Sequence, residues 1–360
     1  MSIKLSASAQ RILNDPGLIS IRDEWFMRLR RLFDGQDDSK MVFAINGVNG
    51  NCGDPSLLYK NPERWVIEGL ENLAKNAEKA NNSEIFTPLC IQNDVYGVHF
   101  VDSIFGCNVF FEHGQWYSDC IDCEIGELSP PDIDKSEAWQ LSRRAAQAFA
   151  DAGVGLPLHG LPTIASVLNV AVNIYGEKIL MAMLSEPRAA AHDLKIINDA
   201  LIDLHRRMAG ILPPKQLQPV IPDGRAQPQG FGQICGCTTQ LISAECYKNM
   251  IAPLDSELLG FYPNGGMIHL CGAHEQHMPV FRGMKNLRAV QLNDRASEGL
   301  AKYYSGLRPD QIIYLCPCDN MPVEKAVGIT GGNRLVLVGP HRVQHPIQDP
   351  LACVERLAEL

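Results

Sequence analysis

A chain of 360 residues, 46% of them hydrophobic and 20% charged, has the apolar content of a globular protein with a sizeable core. The formal net charge is −9, and no cluster of Lys and Arg is long enough to follow a phosphate backbone, which argues against nucleic acid. An acidic protein partner is disfavoured too, except near Arg28, Arg30 and Arg31.

The N-terminus lacks the features of a signal peptide, and no apolar run approaches the ~20 residues that span a membrane. A cytoplasmic protein is expected, with its twelve cysteines reduced rather than paired.

In chain order, the first forty residues read as a helical extension, with Trp25, Leu29 and Leu32 on one face and Asp34-Gly35 closing it. Residues 41–48 form the first buried strand, which runs into the turn Asn46-Gly47-Val48-Asn49-Gly50-Asn51. A helix then starts on Asn61 as cap and Pro62, with Trp65, Leu70, Leu73 and Ala77 at helical spacing. Residues 87–91 and 97–105 are ambiguous between strand and loop. Ser129-Pro130-Pro131-Asp132 breaks the chain before a helix at 136–151.

From residue 154 a rhythm sets in. A short strand ends at His159-Gly160. A long helix opens on Pro187 with the stripe Leu194, Ile197, Leu201, Leu204 and Met208, and Pro213-Pro214 stops it. The Pro- and Gln-rich loop 219–232 is expected to fold over something. Brief apolar runs follow at 232–237, 267–271, 287–292, 311–315 and 334–338. Strands alternating with helices predict a parallel sheet. No Gly-x-Gly-x-x-Gly turn follows any strand, so the pattern favours a single (β/α)8 barrel over residues 41–360, behind an N-terminal helical extension over 1–40.

In such a barrel the C-terminal strand ends line the active site. Here those ends carry Asn46, His159, Cys235 and Cys237, His269 and Cys271, Asn293 and Asp294, then Cys316 and Cys318. Residues 266–271 are therefore read as a strand that delivers His269 and Cys271 into the site. Side chains at i and i+2 on a strand share a face, so Cys235-Gly236-Cys237, His269-Leu270-Cys271 and Cys316-Pro317-Cys318 can each aim two groups into the mouth. Zinc takes thiolate and imidazole ligands, and a catalytic zinc site leaves one position open. His269 and Cys271 with Cys316 or Cys318 would satisfy that, and the metal would make a bound thiol a nucleophile near neutral pH.

Blander readings stand beside these. Cys52, Cys90, Cys107 and Cys353 read as small buried hydrophobes. Cys120 and Cys123 have no companion pair, and close packing explains Cys235 and Cys237 about as well as ligation does. His274 and His277 share a helix face, where they contact an anionic substrate or are merely solvated; His341 and His345 read as surface. Asp94 is a carboxylate that protonates or anchors a substrate, whereas Asp102 reads as a loop cap.

At Gly266 to Gly272 the sequence resembles the uroporphyrinogen decarboxylase superfamily. Arg22 to Gly35 is similar to that family's opening helix, His159-Gly160-Leu161-Pro162 to a strand-end turn, and Leu241 to Pro253 to the segment before its histidine strand. The resemblance implies the same barrel. It lies closer to the branch that moves methyl groups between corrinoids and thiols such as coenzyme M than to the haem-pathway decarboxylase, whose Arg-rich N-terminal motif is absent.

In the methyltransferase branch, His-x-Cys and a later Cys hold zinc. His269 and Cys271 match, whereas Cys316 and Cys318 come earlier in the chain than that branch's final ligand. The resemblance implies a zinc-dependent methyltransferase working with a corrinoid (cobalamin), either bound or on a separate corrinoid-binding protein, and a chain that pairs as a homodimer. Asp94, His159 and Asp294 are the candidate catalytic residues. Asn46, Cys235, Cys237, His274, His277 and Asn293 are the candidate contacts to a small-molecule substrate. The other readings are a metal-free decarboxylase using Asp94 or Asp294, a non-catalytic cobalamin-binding module, and an iron–sulfur protein drawing on Cys235, Cys237, Cys271, Cys316 and Cys318.

Overall fold

The computed structural model describes residues 4–37, 42–50, 53–219 and 225–339. Cys52, Cys353, His341 and His345 lie outside the described residues.

Twelve short strands are present among the described residues: β1 (Phe43–Ile45), β2 (Val48–Asn49), β3 (Leu89–Gln92), β4 (Val109–Glu112), β5 (Gln115–Ser118), β6 (Leu158–Gly160), β7 (Leu217–Gln218), β8 (Gly232–Cys235), β9 (Gly266–Leu270), β10 (Leu287–Leu292), β11 (Ile312–Leu315) and β12 (Leu335–Val338). One parallel sheet runs β1-β12-β11-β10-β9-β8 and a second runs β2-β3-β6-β7, while β4 and β5 form an antiparallel hairpin. The two parallel sheets are continuous at one side. Ile45 at the end of β1 bridges Phe86, and Val48 and Gly50 donate to the carbonyls of Pro88 and Cys90 on the same neighbouring segment. All these strands therefore point the same way, and their C-terminal ends share one edge.

This α/β arrangement matches the expected barrel in its parallel strands and intervening helices. It differs at the seam, where no ladder among the described residues joins β7 to β8. The physical reason is local: β7 is two residues long and offers few backbone groups to a further neighbour.

Alternation along the strands sorts side chains into two cores. Met267, Ala289, Ile312, Tyr314, Val336, Phe43 and Leu158 form an inner cluster, whereas Ile268, Leu270, Val290, Leu292, Ile313 and Leu337 pack outward against helices. Helix Pro16–Phe33 contributes Trp25, Leu29 and Phe33 to the inner cluster. Phe33, four residues beyond Leu29, takes the buried place expected for Leu32, because a stripe at spacing four stays on one face.

Other elements form where their sequence signals lie. Asn61 caps helix Pro62–Lys75 by accepting from Arg64 N at 3.0 Å, and a 3-10 turn replaces the expected continuation through Ala77. Ser136 caps helix Glu137–Asp151. Residues 89–92 are a strand, and residues 97–105 become a 3-10 turn and helix Phe100–Ile104. No single helix among the described residues is long and apolar enough to cross a membrane.

Candidate metal centre

Strand register builds the site. Cys235 on β8 stands opposite His269 on β9, and His269 stands opposite Gln291 on β10. All three face inward, in one tier. Two residues further along the chain, just past the strand ends, come Cys237, which opens the 3-10 turn Cys237–Leu241, then Cys271 and Asn293.

The ligand atoms of Cys235, Cys237 and His269 lie within 4.8 Å of one another. The two thiol sulfurs are 3.6 Å apart, and Cys271 Sγ sits 2.9 Å from His269 Nε2. Two sulfurs at ~2.3 Å from a tetrahedral zinc would be about 3.8 Å apart, so the observed spacing fits that ion. The set, two thiols and one imidazole with a third thiol touching it, is donor chemistry that zinc prefers.

His269 is presented by its neighbours. Gln291 Oε1 contacts His269 Nδ1 and accepts from Arg225 Nη1 at 3.0 Å. Arg225 Nη1 lies 2.8 Å from His269 Nδ1 as well. A proton on Nδ1 directed to Gln291 would leave the Nε2 lone pair for a metal, and Arg225, which can only donate, would then turn wholly to Gln291 Oε1. Burial pushes the His269 pKa down, but the Cys271 hydrogen bond and the nearby Cys235 outweigh it and raise the value.

The thiols are polarised against one another. The hydrogen bond from Cys237 holds Cys271 well below the ordinary thiol range, with His269 adding to the effect, and the Cys237 contact lowers Cys235 too. Cys237 is raised by its contacts with Cys235 and Cys271. Asn169 Nδ2 lies 3.8 Å from Cys235 Sγ while its Oδ1 accepts from Thr238 N, and Asn293 Nδ2 lies 3.8 Å from Cys271 Sγ. Thiols whose pKa is lowered, beside an imidazole, favour the thiolate form that a cation takes.

The structure redistributes the expected roles. Cys235 and Cys237, read as substrate contacts, join His269 in the metal-capable set, and Cys271 touches it. Cys316 and Cys318, read as completing the ligands, stand outside it. Cys316 follows β11, two strands from β9, so it is displaced by two inter-strand spacings of ~4.8 Å. Its sulfur instead accepts from Gln291 Nε2 at 3.1 Å, and Cys318 pairs with Met321 in an isolated bridge.

His159 faces outward. It is fully buried against Phe149 of helix Glu137–Asp151, with ring centroids 5.1 Å apart, so it does not shape the mouth. Desolvation lowers its pKa to about 3. His274 and His277 are fully buried rather than solvated, and both hold Thr239 (His274 Nδ1 to Oγ1 at 3.0 Å, His277 Nε2 to the carbonyl at 2.8 Å). They brace the turn after β8 against the turn after β9, and burial pushes both down, His274 to about 4.

Asn293 lies beside Cys271, and Asp294, exposed at φ 48°, accepts from Asn293 Nδ2 at 3.0 Å. Asn46 continues β1 by donating its backbone N–H to Phe86. Asp94 lines a separate aromatic cavity. Cys120 is exposed, and Cys120 and Cys123 have no place in the metal-capable set.

Gln291, Arg225 and Asn169 were not singled out from the sequence. Gln291 had a readable signal: it is the inward polar residue of Leu287–Leu292, an otherwise apolar strand apart from Arg288. Arg225 lies in the loop expected to fold over something, and its contact with His269 shows what that loop reaches.

No family model matches the chain, and no curated protein matches it by sequence. Among solved structures it is similar to a methyltransferase from Methanosarcina mazei, with a TM-score of 0.61 over 93% of this chain and 97% of that one, at 11% identity. At that identity the likeness shows a shared fold.

Proposed function

We propose that this chain is a zinc-dependent methyltransferase that moves a methyl group between a corrinoid, carried on a separate protein, and a thiol. The single observation that carries the reading is the convergence of Cys235, Cys237 and His269 within 4.8 Å at the strand ends, with Cys271 beside them. The fold shared with a methyltransferase supports it.

Cys235, Cys237 and His269 would hold the ion, and Cys271 would complete its shell until an incoming thiol takes that place. Zinc supplies a lowered thiol pKa, and a corrinoid supplies a methyl group open to nucleophilic attack. The protein's own part is orientation. Gln291 fixes the His269 tautomer, Asn169 and Asn293 steady two of the sulfurs, and Arg225 caps the tier from the loop side. Ten cysteines among the described residues are free thiols, which fits a reducing, cytoplasmic setting.

The test is metal analysis of protein purified without added metal, followed by incubation with methylcobalamin and a panel of thiols. About one zinc per chain, with thiol methylation that stops when the ion is stripped, is the expected result. Metal-free protein, or iron with a cluster spectrum, would overturn it.

A further inference from the structure

The thiol centre leaves a second feature on the same strand-end edge unused. Two residues beyond β3, Asp94 opens onto a cavity of about 450 Å³, also lined by Tyr59, Trp65, Phe111 and Trp116. That volume lies in the range of small-molecule sites, ~300–1,000 Å³.

Four segments build it. Helix Leu57–Lys60 supplies Tyr59, helix Pro62–Lys75 Trp65, the turn after β3 Asp94, and the hairpin β4–β5 Phe111 and Trp116. The hairpin closes on His113 and Gly114, both with positive φ (48° and 83°), in the two-residue turn that matches strand twist. This holds Trp116 with its ring centroid 5.3 Å from Tyr59 and 5.1 Å from Phe111. Tyr59 is fixed in turn, since its Oη accepts from Tyr96 N at 3.0 Å. Asp94 is exposed to the cavity, and the protein around it raises its carboxyl pKa by desolvation.

The lining is electron-rich and singly negative: aromatic faces, one carboxylate, and no Lys, Arg or His among the described lining residues. An anion would meet Asp94 with no counter-charge. A hard metal ion needs more oxygen ligands than one carboxylate gives. A neutral apolar guest would desolvate Asp94 without pairing it, at a cost. A cation whose charge is spread over methyl groups meets none of these objections, because ring faces attract it and the carboxylate balances it.

We propose that this cavity binds an organic cation of the methylated-ammonium class, with Tyr59, Phe111 and Trp116 around the N-methyl groups and Asp94 as counter-charge. The proposal stands apart from the thiol-centre reading, and neither needs the other.

Calorimetric titration of the full chain with choline and with its neutral carbon isostere, 3,3-dimethylbutan-1-ol, tests it. Choline is expected to bind at least about ten-fold more tightly than the isostere, the discrimination a desolvated cation–aromatic site gives. Asp94→Asn and Phe111→Leu should each weaken choline while leaving the isostere unchanged. Phe111 is 60% exposed, so its replacement should spare the fold, which circular dichroism of the variant would check. Equal affinity for the two probes, no choline binding up to tens of millimolar, or choline affinity unchanged in both variants would overturn the proposal.

Discussion

Strands β6 and β9 each carry a buried histidine as the residue before their last, and the two residues have opposite characters. His269 turns inward, meets Gln291 on one nitrogen and a thiol on the other, and has a raised pKa. His159 turns outward and packs on Phe149. Neither of its nitrogens has a hydrogen-bond partner among the described residues, and its pKa falls to about 3. The same residue type at the same edge thus becomes a candidate ligand in one place and a neutral space-filler in the other. Strand parity decides between them. Leu158 occupies the inward position on β6, so His159 must point to the helices.

The contrast can be broken from either side. The largest effect is expected from His269→Ala or Cys235→Ala, each of which should take zinc from about one ion per chain to near none by elemental analysis. Retention of full metal by both variants would dissolve the proposed centre.

Next comes Gln291→Leu. It removes the acceptor for His269 Nδ1 without touching a ligand, and zinc affinity should fall about 10- to 100-fold in competition with a chelator. An unchanged affinity would mean that Gln291 only packs.

His159→Leu should act in the opposite sense. It replaces a buried ring lacking hydrogen-bond partners with an apolar side chain, so stability at pH 7 should rise by about 1 kcal/mol in denaturant titration, with metal content unaltered. The pH dependence follows from the lowered pKa. The unfolded chain takes up a proton near the ordinary value of 6.5, while folded His159 resists until about 3. Its contribution to stability is therefore complete above 6.5 and is lost as pH falls towards 3. The variant should flatten part of that acid limb, and His205 and His274, lowered to about 3 and about 4, should keep the remainder. Loss of zinc in this variant would show that His159 communicates with the centre after all.

The smallest effect is expected at Asp294, a non-glycine residue at φ 48°, ψ −126°. Asp294→Gly should relieve strain by slightly more than it costs in chain entropy, a net gain of about 0.5 kcal/mol.

Much of this was legible in the sequence, and the rest was hidden for definite reasons. The strand at 266–270, the pairing of i and i+2 side chains, and the helices starting at Pro62, Glu137 and Pro187 follow from spacing and caps. The identity of the second thiol pair did not. Neighbouring strands in a parallel α/β fold tend to be consecutive, which favours Cys235 and Cys237 on β8 over Cys316 beyond β11. The family resemblance, with its late cysteine, pulled the other way. His159 was misplaced because a three-residue strand offers too few positions to fix its inward face. Burial of His274 and His277 was invisible because their partner Thr239 lies 35 and 38 residues away. The β4–β5 hairpin, with an aromatic pair on each face (Phe110 with Tyr117, Phe111 with Trp116) and so no alternation, gave no strand signal.

The tiered register has a consequence for how such a centre can change through descent. A one-residue insertion or deletion within Gly266–Leu270 would exchange the two faces of the strand, sending His269 and Cys271 toward the helices and Leu270 into the mouth. Lengthening the loops between strands leaves parity alone. Length variation should therefore be tolerated between the strands and purged within β8, β9 and β10, so that the spacing inside each strand is the more lasting signature of the centre.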